Sequence, residues 1–265
     1  MLPVSDQNPT RTTPYVNYAL IVLNVLAFVF ELSLVSAHGD SYVIAGYGLV
    51  PSRIWADPFG EGFTIFSSMF MHGGWGHLAG NMLFLWIFGD NVEDAIGHGR
   101  YIFFYLACGV CAAAAQVLTN TLSPAPMVGA SGAIAGVLGA YLVLYPRAPI
   151  TIVNPIPLLW LFMGFLIVVP AWLEIGLWFL VQLNGGVASL GLGSSGGVAF
   201  FAHIGGFLAG VLAVRPAMAG RQRAEVGRFT GFRRQPPSRF GLPPGQRERG
   251  SGLPGPGPGR WDSWR

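Results

Sequence analysis

The chain has 265 residues, of which 52% are hydrophobic and only 10% charged, and its mean hydropathy is +0.52. An ordinary water-soluble domain carries far more charge, so the composition excludes that class and points to an all-α, polytopic membrane protein. The net charge of +3 belongs to one end rather than to the body: the 15 basic residues are all Arg, and most lie after residue 214.

In chain order, residues 1–14 are polar, contain Pro3, Pro9 and Pro14, and read as a disordered N-terminus. Residues 15–35 read as the first of six membrane helices. This run is too long for the core of a signal peptide and lacks a small-x-small cleavage site, so it is expected to be retained. Glu31, near its end, is expected at the interface, because a carboxylate at mid-membrane is costly. Residues 36–76 form a long connection with Trp55, Phe59, Phe63, Phe66, Met69 and Phe70. Aromatic rings favour the membrane–water interface, and the connection is expected to lie there.

Residues 77–96 read as the second helix, ending in the polar run Gly-Asp-Asn-Val-Glu-Asp. The third spans 101–119 and holds both cysteines, Cys108 and Cys111. With no ligand partners nearby in sequence, they read as packing residues and not as a metal or redox pair. The fourth spans 131–145 and stops at Pro146. The fifth spans 158–183, with a kink expected at Pro170. Residues 184–196 read as a Gly/Ser loop and 197–214 as the sixth helix. The body is therefore residues 15–216. Residues 217–265, rich in Arg, Gly and Pro, read as a disordered tail.

Six helices put both termini on one side of the membrane. That side carries Arg11, Arg100, Arg147 and the tail, while the other has only Arg53. Basic loops face the cytoplasm, so both termini are expected there. The fourth helix is short: about 15 residues rising about 1.5 Å each cover roughly 22 Å of a core about 30 Å thick. Its first residue, Ser131, then starts below the outer surface. Irregular backbone at that depth is tolerated only within protein or beside a water-filled cavity.

Ser131 sits in Val-Gly-Ala-Ser-Gly-Ala-Ile-Ala-Gly-Val-Leu-Gly-Ala, residues 128–140. A serine opening a helix has two readings, an N-cap and a nucleophile. The motif departs from the Gly-x-Ser-x-Gly elbow of soluble hydrolases, because residue 133 is Ala. The sixth helix reads Phe201-Ala-His-Ile-Gly-Gly-Phe-Leu-Ala-Gly210. His203, Gly206 and Gly210 share one face of it, as Ser131, Ala135 and Gly139 do on the fourth. Small-residue faces let membrane helices approach closely, and pairing these two brings Ser131 toward His203. An ionisable residue within a membrane is a functional candidate by default, although His203 also reads as a satisfied polar residue between helices. The third stretch is His72-Gly-Gly-Trp-Gly-His77-Leu-Ala-Gly-Asn81. His77 and Asn81, four apart, lie one above the other on the second helix. They read as hydrogen-bond donors to an oxyanion, with an interhelical hydrogen bond as the alternative for Asn81.

These motifs, in this order and on these helices, resemble the rhomboid family of intramembrane serine proteases over about residues 60–215. The resemblance implies a six-helix bundle with Ser131 as nucleophile and His203 as general base. It implies oxyanion stabilisation by His77 and Asn81, helped by the Ser131 N–H, and a structural role for His72. It also implies that Glu93 ties its helix end to neighbouring loops, and that the dyad has no third carboxylate. Some members carry an aromatic ring four residues after the serine, stacked on the histidine. Here that position is Ala135, so the imidazole must be held otherwise.

The expected activity is a serine-type endopeptidase, cutting transmembrane segments of membrane proteins near the outer face without metal or cofactor. Its expected setting is a bacterial plasma membrane, its expected partners transmembrane substrates and the lipid bilayer. An inactive rhomboid-like scaffold and a transporter-type protein are the rival classes. The scaffold reading meets a chain that keeps both Ser131 and His203. The transporter reading leaves the Ser/His/Asn set unexplained. A zinc protease would need His-Glu-x-x-His, which the sequence lacks. Asp90 lies near the cytoplasmic end with no partner aspartate evident. The tail's arginines can meet anionic lipid; nucleic acid is not expected without a folded module.

Overall fold

A computed structural model describes residues 2–192 and 199–221. The chain is mostly helical. Strand β1 (Pro3–Asp6) leads into helix α1 (Tyr15–His38), then the short helices α2 (Asp40–Tyr47), α3 (Pro51–Ala56) and α4 (Thr64–Ser67). Next come α5 (Trp75–Ile96), α6 (His98–Thr119) and α7 (Ser131–Leu144). Strand β2 (Pro149–Val153), the one-turn α8 (Trp160–Met163) and strand β3 (Leu166–Pro170) come after it, and α9 (Ala171–Leu192) and α10 (Phe200–Ala217) complete the order. Among the described residues, α1, α6 and α10 are both long and apolar enough to cross a membrane. α5 matches them in length, but Asp90, Glu93 and Asp94 crowd its C-terminal end.

α7 is the centre of the fold. Every residue from Gly132 to Tyr141 is buried, as expected of a helix that is apolar on all sides. Its closest neighbour is α10. A Cβ added at Gly206 would lie 2.0 Å from the Gly132 carbonyl oxygen, and one at Gly210 would lie 1.9 Å from that of Gly136. α6 closes the third side, with Cys108 against Gly136 and Ala112 against Gly132. The seam on α7 thus runs through Gly132, Gly136 and Gly139. Sequence spacing puts Ser131, Ala135 and Gly139 on one face; Gly139 is on the seam, while Ser131 and Ala135 each lie one residue before its other two members. Without hydrophobic drive between helices in lipid, such backbone proximity supplies the dispersion contacts that hold them together.

The fifth helix differs from the sequence reading. It starts at Ala171, not residue 158, and Pro170 ends a strand instead of kinking a helix. Residues 166–170 pair with 149–153 in an antiparallel ladder, Ile150 opposite Val169 and Ile152 opposite Ile167. Both segments are rich in β-branched residues, whose stiff side chains favour a pleated strand. Pro149 and Pro170 sit at the strand ends, where a missing N–H is tolerated. α9 also runs on through residues 184–192 of the expected loop; residues 193–198, with the expected helix start at 197, lie outside the described residues.

The N-terminus likewise corrects an expectation. Residues 3–6 are ordered as β1, which adds to β2 and makes the sheet order β1-β2-β3. Polar contacts then pin residues 8–17 to the C-terminal end of α5. The Asn91 Nδ2 donates to the Asn8 carbonyl at 2.8 Å, Thr12 Oγ1 donates to Asp94 at 2.7 Å, and Arg11 pairs with Asp94 at 3.1 Å. Glu93, fully buried, accepts from the Val16 and Asn17 N–H groups at 3.0 and 2.6 Å. These are donors of the opening turn of α1, which have no partner within their own helix. His98 Nδ1 contacts the same carboxylate. From the far end of the sequence, Arg221 reaches the same end of α5 and donates to the carbonyls of Ala95 and Asp94 at 3.0 and 3.3 Å. The tail expected from 217 onward is therefore anchored as far as Arg221, and its remainder lies outside the described residues.

The connection 36–76 is built of short helices that turn aromatic rings outward: Phe59 is 98% exposed and Trp55 60%. Met69 points inward and is buried. Glu31 is buried and accepts from the His72 N–H at 2.9 Å, so it ties α1 to the segment that precedes α5.

Tyr141 on α7 donates to Asp6 Oδ2 at 2.7 Å. Burial outweighs that bond and lifts the Asp6 carboxyl from 3.8 to about 6. A carboxyl raised on folding contributes stability that is full below its unfolded pKa and is lost as pH rises through the folded one. Asp6→Asn keeps an acceptor without the charge. Its melting temperature should match the wild type near pH 4 and exceed it by pH 7, the gap opening between about 4 and 6. A gap that stays constant across this range would show that Asp6 does not titrate with folding.

Candidate active site

Ser131 is the first residue of α7. The backbone reaches it through Gly129, whose φ is +124°, a value L-residues rarely adopt. The Gly129 N–H donates to the Ser68 carbonyl at 2.8 Å, and Leu49 and Met127 exchange backbone hydrogen bonds at 3.0 and 2.7 Å. The loop before the serine is thus held on both sides by the 36–76 connection. No side-chain cap bond is made at the start of α7, so Ser131 does not act as an N-cap. Its hydroxyl points elsewhere.

The Ser131 Oγ lies 2.8 Å from His203 Nε2. His203 is four residues into α10, on the turn that packs over Gly132 through Gly206. The glycine seam therefore sets the distance between the two side chains. His203 Nδ1 lies 2.8 Å from Gln182 Oε1 on α9. The Gln182 amide nitrogen donates to the Trp178 carbonyl, one turn back, at 3.3 Å. The Trp178 ring also sits 5.9 Å from the imidazole, tilted by 41°. α9 thus holds the imidazole through Gln182 and Trp178, in the place of the ring that Ala135 cannot supply.

His77 and Asn81 flank the approach to the serine. A Cβ added at Gly129 would lie 2.8 Å from His77 Nε2 and 3.6 Å from Asn81 Nδ2. His77 therefore crowds the backbone two residues before Ser131, and Asn81 lies in ordinary contact with the same point. His77 Nδ1 accepts from the Gly73 N–H at 3.3 Å. With Nδ1 accepting, a neutral imidazole carries its proton on Nε2, which faces the loop. Asn81 Nδ2 is buried and makes no hydrogen bond. An unsatisfied buried donor costs about 1–3 kcal/mol, and such groups persist where they have a task. The structure brings all four candidates, Ser131, His203, His77 and Asn81, to one end of the bundle. His72, buried, packs edge-on to His77 at 5.3 Å. Burial, reinforced by His77, lowers its pKa to about 4, so it is neutral at ordinary pH.

Beside Ser131 is a cleft bounded by Ile65, Met69, Met127, Gly129 and Ala202. Its volume of about 10 Å³ has room for about one water. Chemically the set offers a hydroxyl hydrogen-bonded to an imidazole, donors aimed at the same backbone, and a space for a small group. Gln182 was not expected from the sequence. It sits in an apolar stretch with no motif, and its only signal is an amide in a membrane helix one turn after Trp178.

A helical membrane protein with a serine–histidine pair at one end of its bundle is the class that this fold and site define. Residues 60–219 match the Rhomboid domain family model, and the chain belongs to the rhomboid family. It is 36% identical over 129 residues to Rhomboid protease GluP of Bacillus subtilis (strain 168), covering 49% of this chain and 24% of that protein. It is 29% identical over 201 residues to Rhomboid protein 1, mitochondrial, of Saccharomyces cerevisiae, covering 74% and 51%. It is 29% identical over 132 residues to Putative rhomboid protease YdcA of Bacillus subtilis (strain 168), covering 50% and 63%. The chain thus spans 24% to 63% of the length of these curated relatives.

Proposed function

We propose that this protein is an intramembrane serine endopeptidase that cleaves transmembrane segments of other membrane proteins near their outer ends. The observation that carries the reading is the 2.8 Å hydrogen bond between Ser131 Oγ and His203 Nε2. Two relatives that are named rhomboid proteases support it. In this reading the body crosses the membrane six times with both termini cytoplasmic, in a bacterial plasma membrane. The asymmetry of its arginines is the support for that orientation.

The chemistry rests on the groups present. His203 Nε2 takes the proton of Ser131 as Oγ attacks a peptide carbonyl, and the carbonyl oxygen becomes an oxyanion. Asn81 Nδ2, His77 Nε2–H and the Ser131 N–H are the donors for it. The opening turn of α7 adds N–H groups that have no partner in the helix, and the positive end of its dipole. His203 then gives its proton to the leaving amine, and a water attacks the acyl-enzyme with His203 as base again. A substrate helix keeps its carbonyls in internal hydrogen bonds, so it must unwind locally to present one. Gly and Pro are the weakest helix formers, so segments with either near the outer end are the expected substrates.

The test is a purified chain in detergent with a single-span model substrate, beside a fluorophosphonate that adds mass to a reactive serine. Cleavage and a mass increase on Ser131 support the reading. An intact substrate and an unlabelled Ser131 would sink it. Asn81→Ala sharpens the test. Its kcat should fall about 10- to 100-fold with little change in KM, because the bond is made mainly in the transition state. Three donors share the oxyanion, which keeps the loss below the ~10²–10³-fold seen where one donor stands alone. A lowered melting temperature with normal labelling would instead make Asn81 a structural link between helices.

A further inference from the structure

An imidazole that acts as a base at one nitrogen must be told where its proton sits, and the other nitrogen decides this. The partner of His203 Nδ1 is an amide, not a carboxylate. The orientation of that amide is fixed by its other end. The Trp178 carbonyl can only accept, so the Gln182 group 3.3 Å from it is the NH₂. The Gln182 atom 2.8 Å from His203 is then the carbonyl oxygen, which also can only accept. Nδ1 must therefore carry the proton. A neutral imidazole has one, so Nε2 presents a lone pair to the Ser131 hydroxyl at 2.8 Å. Gln182 is itself buried, at 6% exposure, and its rotamer is held by α9.

We propose that Gln182 is a positioning residue of this enzyme: it fixes the tautomer and the ring plane of His203, so that Ser131, His203 and Gln182 form one hydrogen-bonded line across α7, α10 and α9. This rests on the serine–histidine reading above. The bond is useful twice. Before attack it excludes the tautomer that would aim an N–H at the serine hydroxyl. After attack the imidazole is a cation, and the same oxygen accepts a charge-assisted hydrogen bond from it, which is stronger than the neutral one. Being uncharged, Gln182 achieves this without placing an anion in an apolar bundle, where a charge is costly.

The experiment uses the full chain in detergent with two variants. Gln182→Met keeps the length of the side chain and removes the acceptor; Gln182→Glu keeps an acceptor. Read out are kcat and KM on the model substrate, the rate of fluorophosphonate labelling, the melting temperature, and the ¹⁵N imidazole resonances of His203, assigned by their absence in His203→Ala. Gln182→Met should lower kcat and the labelling rate about tenfold or more, the worth of one well-placed hydrogen bond at the transition state, with KM within about twofold. Its ¹⁵N spectrum should change from a protonated Nδ1 to a mixture of tautomers. Gln182→Glu should recover most of the labelling rate. Unchanged kcat, labelling and ¹⁵N spectrum in Gln182→Met would overturn the proposal. So would a loss that merely tracks the folded fraction and is not recovered by Gln182→Glu. A wild type that neither cleaves nor labels would instead overturn the serine–histidine reading. The ¹⁵N spectrum needs no turnover, and a wild-type His203 protonated at Nε2 would refute the Gln182 assignment by itself.

Discussion

Ser131→Ala and His203→Ala should each reduce cleavage by a factor on the order of 10⁴–10⁶, while the protein stays inserted and folded. Removing either side chain leaves the hydroxyl without a base or the base without a hydroxyl, because the two meet through one hydrogen bond of 2.8 Å. Groups that act as a unit are not additive, so the double variant should be no slower than the slower single one. Neither change enlarges a side chain, and Ser131 makes no cap bond in α7, so melting temperatures should stay close to that of the wild type. The measurement is single-turnover cleavage in detergent, with melting curves on the same samples. Substantial turnover by Ser131→Ala would remove the nucleophile assignment. A double variant much slower than both singles would mean that the two residues act separately.

The second large effect should come from a residue that touches no substrate. Gly210→Val puts a branched side chain where even a Cβ would lie 1.9 Å from the Gly136 carbonyl oxygen. Backbone cannot give as a flexible side chain does, so α7 and α10 must separate by about 1 Å or more. Overpacking of this kind costs about 1–3 kcal/mol, occasionally more. The larger consequence is for geometry, since Ser131 and His203 ride on the two helices being pushed apart. A misplacement near 1 Å can cost about 10²-fold in rate, and labelling of Ser131 should fall at least that far. Gly176→Ala on α9 is the control, because an added Cβ there meets nothing within 4 Å. It should label and melt like the wild type. Normal labelling in Gly210→Val would show that the seam does not set the serine–histidine distance.

What could be read from the sequence was local. Ser131 stands out as a hydroxyl in a run of small residues, and His203 as an ionisable residue sharing a helix face with Gly206 and Gly210; small-residue faces in a membrane protein mark close packing. His77 and Asn81 are picked out by a four-residue spacing on one helix. What the sequence concealed was either non-local or masked by hydropathy. The run 158–183 is apolar apart from Glu174 and Gln182 and reads as one helix. Its β-branched stretch Ile167-Val168-Val169 and the matching Ile150-Thr151-Ile152 were the available signals for a ladder. β1 could not be seen at all, because four residues acquire strand character only by pairing with Ile150–Ile152, over 140 positions away. Ser131/Ala135 and Gly132/Gly136 have the same four-residue spacing, and only the partner helix shows which pair shares the seam with Gly139. Gln182 had no pattern to betray it, since its role depends on a histidine that arrives 21 residues later on another helix.

Ser131 and His203 are 72 residues apart in the chain. A ribosome adding about 5–20 residues per second needs about 4–14 s to travel between them. For that interval the growing chain carries a serine with no base beside it. On the proposed reading the protease is born silent, and it becomes competent only when α10, the last described helix to be synthesised, has entered and settled on the glycines of α7. Gln182 is made before His203, so the acceptor that sets the base is waiting when the base arrives.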